Sequence, residues 1–176
     1  MLRADIPDLV SLPGYSIYRW HHVNRIGGGV CIYIKNSKFT KFSVISRPCH
    51  LGDIDLLHLN FSSSHIQFSL VCLYRLHYSQ EENDDLLFEK LLQMSHINSN
   101  LVICGDFNYT DIDWTSDAIP ASSKSRNFIQ FLNNSNLEQL ITDHTKFSFN
   151  RSPSTLDLLL TNSSQLLTVL TEHEIR

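Results

Sequence analysis

Several features that mark whole classes of protein are missing from this sequence. None of its four cysteines forms a Cys-x-x-Cys pair and its nine histidines show no His-Glu-x-x-His spacing, so no zinc site is indicated. No apolar run approaches the roughly 20 residues that span a bilayer. The residues after Met1 also lack the apolar stretch of a signal peptide. We therefore expect an intracellular protein with buried free thiols and no membrane partner.

Positive charge is also scarce. The chain has 14 Lys and Arg residues against 18 Asp and Glu residues, a formal net charge of −4. Nucleic-acid-binding proteins usually need basic surface for phosphates, so the overall charge gives no support to that function, although a local cluster can dominate a cleft. The 176 residues, 42% of them apolar, indicate one ordinary globular domain with one sizeable core.

The first half of the chain reads mainly as strands. Gly27–Gly29 is not followed by the Gly-Lys-Ser/Thr of a phosphate loop, so it predicts a turn into a buried strand, Val30–Lys35. Further strands are predicted at Phe42–Ser46, Asp55–Phe61 and Ile66–Tyr74. The last two are separated by a serine cluster typical of a turn, which favours an antiparallel pair.

The second half of the chain changes to a mixed pattern. A capping-box signature at Ser79–Glu82 and leucines at helical spacing predict a helix over Gln80–Ile97. Shorter patterns predict a strand at Leu101–Cys104, a helix at Ser125–Asn133, and strands at Leu137–Ile141 and Leu156–Thr161. Together these elements predict a sheet-rich α/β domain with helices packed on the outside.

The segment Gly105-Asp106-Phe107-Asn108 directly follows a predicted buried strand and is the first candidate for chemistry. Asp106 could position or deprotonate a water or help to hold Mg²⁺. Asn108 could donate a hydrogen bond to a phosphate oxygen. The alternative is a simple turn, because Gly, Asp and Asn are all favoured turn residues.

Two further sites deserve a chemical reading, each with a plain structural alternative. Tyr74 and Arg75 end a predicted strand and offer a hydroxyl and a planar guanidinium to a phosphate, or they form a solvated strand end. Asp157 lies within an apolar strand, where a buried carboxylate would need a partner such as a histidine. Strand alternation could instead place Asp157 on a wet face.

The same segments, taken in order, carry a family resemblance. The relevant segments are Arg25–Lys35, Tyr74-Arg75, Gly105–Asn108, Asp113-Trp114, Leu137–Thr142 and Leu156–Leu158. In this order they resemble the endonuclease domain of non-LTR retrotransposons, within the endonuclease/exonuclease/phosphatase superfamily. Gly105–Asn108 matches the family's most diagnostic motif, whereas Leu76 stands where relatives have a proline after Tyr-Arg. The resemblance covers about residues 8–165 of what we take as a single partial domain, residues 1–176.

The resemblance implies a two-sheet α/β sandwich with outer helices and Mg²⁺-dependent hydrolysis of phosphodiester bonds in DNA. It assigns the alignment or deprotonation of the attacking water to Asp106, and phosphate contacts to Tyr74, Arg75 and Asn108. Asp106 and Asn108 would hold the metal. Asp157 would orient a catalytic histidine.

The resemblance also predicts an incomplete catalytic set. Relatives carry a metal-binding Glu just before a segment like Leu2–Asp5 and a Ser-Asp-His motif near their end, where this chain has Thr171–Arg176. An inactive partial domain is therefore expected. A full-length relative would add a reverse transcriptase domain, and action on genomic DNA would imply a nuclear location. Two alternatives remain: a non-enzymatic transposon remnant, or a superfamily phosphatase acting on a small phosphoester. Asp113-Trp114 and Leu137–Thr142 favour DNA over the phosphatase.

Overall fold

A computed structural model describes residues 11–21, 28–116, 118–149 and 151–166, which form ten strands and two α-helices. The elements are β1 (Tyr15–Trp20), β2 (Val30–Lys35), β3 (Ser43–Leu51), β4 (Ile54–Ser62), β5 (Gln67–Arg75), α1 (Glu81–Ile97), β6 (Leu101–Asp106), α2 (Ser123–Asn134), β7 (Glu138–Gln139), β8 (Lys146–Ser148), β9 (Arg151–Ser154) and β10 (Asp157–Thr161). Neither helix is long and apolar enough to cross a membrane.

The strands are arranged in one large sheet and two small ones. The large sheet has six strands in the order β3-β4-β5-β6-β10-β7. Strands β5 and β6 are parallel, and α1 provides the crossover that a parallel pair requires. The neighbouring pairs on either side of them are antiparallel. The pairs β1-β2 and β8-β9 form separate two-stranded sheets.

Each face of the large sheet is covered by its own apolar cluster. One face packs on α1 and α2 through residues such as Leu56, Leu87 and Phe128. The opposite face packs on β1-β2 through residues such as Ile32 and Leu59. Because successive side chains of a strand point to opposite faces, β4 contributes to both clusters, and its first six residues are all buried. We call the face toward β1-β2 the inner face and the face toward the helices the outer face.

Most predicted elements are confirmed, with shifted ends. Helix α1 begins one residue after its predicted start, and the antiparallel pairing of β4 with β5 is confirmed. The predicted capping box at Ser79 is wrong, because the helix is capped by Gln80 and the Ser79 hydroxyl is buried without a hydrogen-bond partner among the described residues. The four cysteines are free thiols, as predicted, and each is half-buried.

Three short strands were not predicted as such. The sequence reading has no strand at β1 and none at β8 or β9. The strand predicted over Leu137–Ile141 shrinks to β7, which has two residues. Part of the glycine triplet lies outside the described residues, but Gly28 and Gly29 have φ values of 83° and 100°, as a turn into β2 requires.

Candidate active site

One row of polar side chains crosses the inner face of the large sheet at one end. Its members are aligned in register across five neighbouring strands: His50, Asp55, Tyr74, Asp106 and Asp157. Residues directly opposite each other on neighbouring strands point to the same face. Tyr74, Asp106 and Asp157, which the resemblance assigns to one site, therefore lie side by side at this end of the sheet, and we call the five-residue set the polar row.

Asp106 lies in the polar row between Tyr74 and Asp157, directly opposite each of them on the neighbouring strands. Its Oδ1 is buried and has no hydrogen-bond partner in the described part of the chain. Burial, followed by repulsion from Asp157, raises the pKa of Asp106 above that of an ordinary carboxyl. Hydrogen bonds from the side chain and the backbone of Asn108, and then the charge of Lys146, act in the opposite direction. Binding of a cation beside Asp106 would therefore be favourable, because it would offset the repulsion between the two carboxylates.

Gly105 allows β6 to lie close to β5 beside this carboxylate. A Cβ at residue 105 would lie 1.9 Å from the carbonyl oxygen of Leu73, and its φ of 145° is one that side chains rarely allow. Gly105 is therefore required for the close packing of the parallel strands β5 and β6.

Asn108 leaves the strand end in a left-handed conformation, with φ of 56°, which asparagine tolerates better than most residues. Its Nδ2 donates to the carbonyl oxygen of Arg75 over 2.9 Å. The loop is also fixed by Phe107, which is fully buried and whose N–H donates to the Leu156 carbonyl oxygen over 2.9 Å. These contacts hold the Asn108 amide beside the polar row.

The side chain of Arg75, which we predicted to bind substrate, is held by partners within the protein, and a substrate contact stays a prediction. Arg75 is only 1% exposed, and its Nε and Nη2 donate to the two carboxylate oxygens of Asp84 over 2.6 and 2.7 Å. Its Nη1 donates to the Phe107 carbonyl oxygen over 3.2 Å, and the guanidinium lies 4.2 Å from the centre of the Tyr109 ring. Arg75 therefore positions the loop that carries Asn108.

A histidine–carboxylate pair at the far end of the polar row was missed from the sequence. The Nδ1 of His50 lies 2.7 Å from Oδ1 of Asp55, whose side chain is fully buried, and Trp20 packs on the imidazole at a centroid distance of 4.7 Å. Gly52-Asp53 joins β3 to β4 as a two-residue turn and places the two residues opposite each other. A Gly-x pair between two strands is a hairpin signal that could have revealed this.

Asp157 is exposed, which favours the wet-face alternative over a buried carboxylate. Its backbone N–H donates to Oγ1 of Thr145 over 3.0 Å, so the start of the β8-β9 hairpin is attached beside the polar row. Thr171–Arg176, which stands where relatives have Ser-Asp-His, lies outside the described residues. The role of Asp157 in orienting a histidine therefore stays a prediction.

Asp113 and Trp114 are structural in their contacts. Asp113 accepts hydrogen bonds from the backbone and hydroxyl of Thr115 and from the Ser116 hydroxyl, which lower its pKa to about 2. Trp114 packs edge-on against Phe128 of α2. The pair builds a turn that leads to α2.

Two thiols lie directly below the polar row. Cys72 and Cys104 are in register two residues before Tyr74 and Asp106. Their side chains are hydrogen-bonded to each other, which raises the pKa of Cys72 and lowers that of Cys104. Among the described residues, no group of three or more His, Cys, Asp or Glu side chains is arranged to hold a metal.

Residues 68–175 match the model of the family described as endonuclease-reverse transcriptase. No curated protein matches the chain. Solved structures give the fold. The endonuclease domain of TRAS1, a telomere-specific non-LTR retrotransposon, superposes with a TM-score of 0.64 at 15% identity over 88% of this chain and 70% of that one.

Two other solved structures, of proteins with different names and ligands, share the fold. A mannosyl-6-phosphatase from Bacteroides thetaiotaomicron superposes with a TM-score of 0.58 at 17% identity, over 85% of this chain and 63% of that one. TDP2 from D. rerio, complexed with a single-strand DNA product, superposes with a TM-score of 0.55 at 11% identity, over 89% of this chain and 65% of that one. The predicted α/β fold of this superfamily is confirmed, and the chain spans about 60–70% of the length of these structures.

Proposed function

Since the chain belongs to the endonuclease-reverse transcriptase family, we propose that it is the phosphodiester-hydrolysing domain of a retrotransposon-type DNA endonuclease. The observation that carries this proposal is the in-register pair of Asp106 and Asp157, with a buried Oδ1 of Asp106 that has no protein partner among the described residues. Tyr74 lies in register on one side, and the Asn108 amide is fixed close by.

The residues present fit a hard divalent cation. Mg²⁺ prefers carboxylate and amide oxygens and keeps several waters, so Asp106, with the side-chain oxygen of Asn108, would hold it. A bound cation would also relieve the repulsion that raises the pKa of Asp106. When bound, Mg²⁺ would neutralise charge that develops on the phosphate.

The side chains of the site would activate the water and bind the phosphate. Asp106 would align or deprotonate the attacking water, the role that the resemblance assigns to it. An amide nitrogen carries two hydrogens. One hydrogen of Asn108 Nδ2 is directed to the carbonyl oxygen of Arg75, and the Asn108 side chain also hydrogen-bonds to Asp106. Asn108 would donate to a phosphate oxygen by exchanging the bond to Asp106 for one to the substrate. Tyr74 would contact the same phosphate through its hydroxyl.

The β8-β9 hairpin favours DNA over a small phosphoester. Phe147 and Phe149 are 74% and 94% exposed, and Lys146 lies close enough to Asp106 to affect its pKa. Exposed aromatic rings beside a cation suit bases and a phosphate backbone, whereas a sugar phosphate would leave both rings in water. The phosphatase alternative therefore ranks second.

Manganese, a paramagnetic substitute for Mg²⁺, tests the site without turnover. We expect Mn²⁺ to broaden the NMR signals of Asp106, Asn108 and Asp157 first. Asp106→Asn should weaken the binding by roughly tenfold or more, since even residues behind a metal ligand can cost that much. Because a proton competes for Asp106, affinity should rise as pH increases through its raised pKa.

Asp85→Asn is the matched control, because Asp85 is exposed on α1. A short DNA duplex added with the metal should also shift Phe147 and Phe149, and mannose 6-phosphate should not. Broadening that is equal in the Asp106 and Asp85 variants would refute the proposed metal site.

The 176 residues by themselves are not expected to nick supercoiled plasmid DNA in Mg²⁺. The resemblance implies that catalysis also needs a metal-binding Glu and a Ser-Asp-His motif, and neither has been identified among these 176 residues. Catalytic groups act as a unit, and loss of one can cost roughly 10⁴ to 10⁶ in rate. Nicking that disappears in the Asp106→Ala variant would overturn this expectation.

A further inference from the structure

A small basic cavity lies on the outer face of the large sheet, remote from the polar row. It has a volume of about 180 Å³ and lies between the last turns of α1 and strands β3 and β4. Its polar lining includes Arg47, His58, Asn60 and Lys90. None of the described residues that line it is acidic.

Two buried nitrogens in this cavity have no hydrogen-bond partner among the described residues. His58 is 6% exposed and its Nε2 is unpaired. Asn60 accepts a hydrogen bond from Ser69 at Oδ1 over 2.7 Å, but its Nδ2 is unpaired. Buried polar nitrogens without partners are unfavourable and rare in folded proteins. Asn60 Nδ2 is a donor, and His58 Nε2 is one when it carries a hydrogen, so a ligand with acceptor oxygens would satisfy both.

The charges around His58 point to the kind of acceptor. The charged groups that face it are Arg47 from β3 and Lys90 from α1. Burial, then these two cations, lower the pKa of His58, whereas a hydrogen bond between the side chains of His58 and Asn60 has a smaller, opposing effect. Arg47 and Lys90 disfavour the protonated form of the His58 imidazole, and a negatively charged ligand between them would offset this repulsion.

We propose that this cavity, lined by Arg47, His58, Asn60 and Lys90, is a binding site for a phosphate group. A volume of about 180 Å³ corresponds to roughly six waters at about 30 Å³ each, which accommodates a single oxyanion. Guanidinium and ammonium groups are the usual partners of phosphate, and the two unpaired nitrogens supply further donors. Carboxylate ligands would leave part of this donor set unused.

The cavity lies on the opposite face of β4 from the polar row, because His58 and Asn60 alternate with Leu57 and Leu59. The inference therefore does not depend on the proposed hydrolase function. A second cavity of about 160 Å³ shares Asn60, Ile97 and Asn98 with the first. It leaves room for a group attached to the phosphate, so the source can be free phosphate, a nucleotide or the DNA backbone.

Titration of the full chain with inorganic phosphate at constant ionic strength tests the site. We expect saturable NMR shifts at Arg47, His58 and Lys90, and an increase in the pKa of His58 on binding. Arg47→Gln and Lys90→Gln should each weaken binding by roughly tenfold or more, the scale of a charge-assisted hydrogen bond. Both side chains reach solvent, so the fold should tolerate these variants.

Lys41→Gln is the matched control, because Lys41 is exposed and outside the cavity. Parallel titrations with a nucleoside 5′-monophosphate and with a duplex lacking terminal phosphates identify the source of the phosphate. Absence of saturable shifts with all three ligands, or equal binding by the Lys41 and Lys90 variants, would overturn the proposal. Loss of Mn²⁺ binding in the Asp106 variant, with phosphate binding intact, would confirm that the two sites are separate.

Discussion

Replacing Gly105 with alanine is expected to abolish cooperative folding of the six-stranded sheet. The new Cβ would lie 1.9 Å from a backbone oxygen of β5, which cannot move aside without breaking the parallel pair. Residue 105 also has a φ of 145°, so the alanine would be strained even without the clash. Circular dichroism should show no cooperative thermal transition.

Gly14→Ala provides the matched control. Gly14 has a φ of 80°, but an added Cβ would meet nothing within 4 Å. Its substitution should therefore cost only the roughly 1–2 kcal/mol of a left-handed alanine. If both variants unfolded at similar temperatures, the close approach of β5 and β6 would not be the reason for the glycine.

Asp84→Asn is expected to lower the free energy of unfolding by about 3–5 kcal/mol, the usual cost of breaking a buried ion pair. Asp84 is 3% exposed and receives two hydrogen bonds from Arg75, so the variant leaves a buried guanidinium without its countercharge. Urea denaturation measures the change. The loop of Asn108 should also loosen, because Arg75 holds it through the Phe107 carbonyl.

Two comparisons isolate the ion pair. Asp85→Asn, at the exposed neighbouring position, should change stability by less than about 0.5 kcal/mol. The double variant Arg75→Met, Asp84→Leu should be less destabilised than Asp84→Asn, because no buried charge is left uncompensated. Equal destabilisation by the single and double variants would argue that packing, and not charge, determines the effect.

The long elements were predictable because a repeating apolar pattern identifies them. The spacing of Leu87, Leu91 and Met94 is enough to define α1, and all three are buried in the outer core. Strands β8 and β9 have no such pattern, since they are short and their only large apolar residue, Phe147, is exposed. No single-sequence period distinguishes such a hairpin from a loop.

The sequence identified several residues of the candidate site, but it did not show in which direction each side chain points. Tyr74 and Arg75 are neighbours in one strand, so only one of them can point into a given face. The sequence placed both at the phosphate, whereas the register sends Tyr74 to the polar row and Arg75 to the outer core. The partner of Arg75 is Asp84, which lies on α1. A contact between a strand residue and a helix residue depends on how the two elements pack, and the local sequence pattern does not reveal it.

The polar row also has a consequence for the order of folding. Its five residues come from five strands, and the first and last members, His50 and Asp157, are far apart in the chain. Non-local pairings of this kind form slowly, because the entropy of closing long loops is lost before the contacts repay it. An intermediate that lacks β10 can keep the β3-β4-β5 meander and the His50–Asp55 pair, but it has no opposed carboxylates. The cation site should therefore appear only in the last kinetic phase, together with the pairing of β10 on β6.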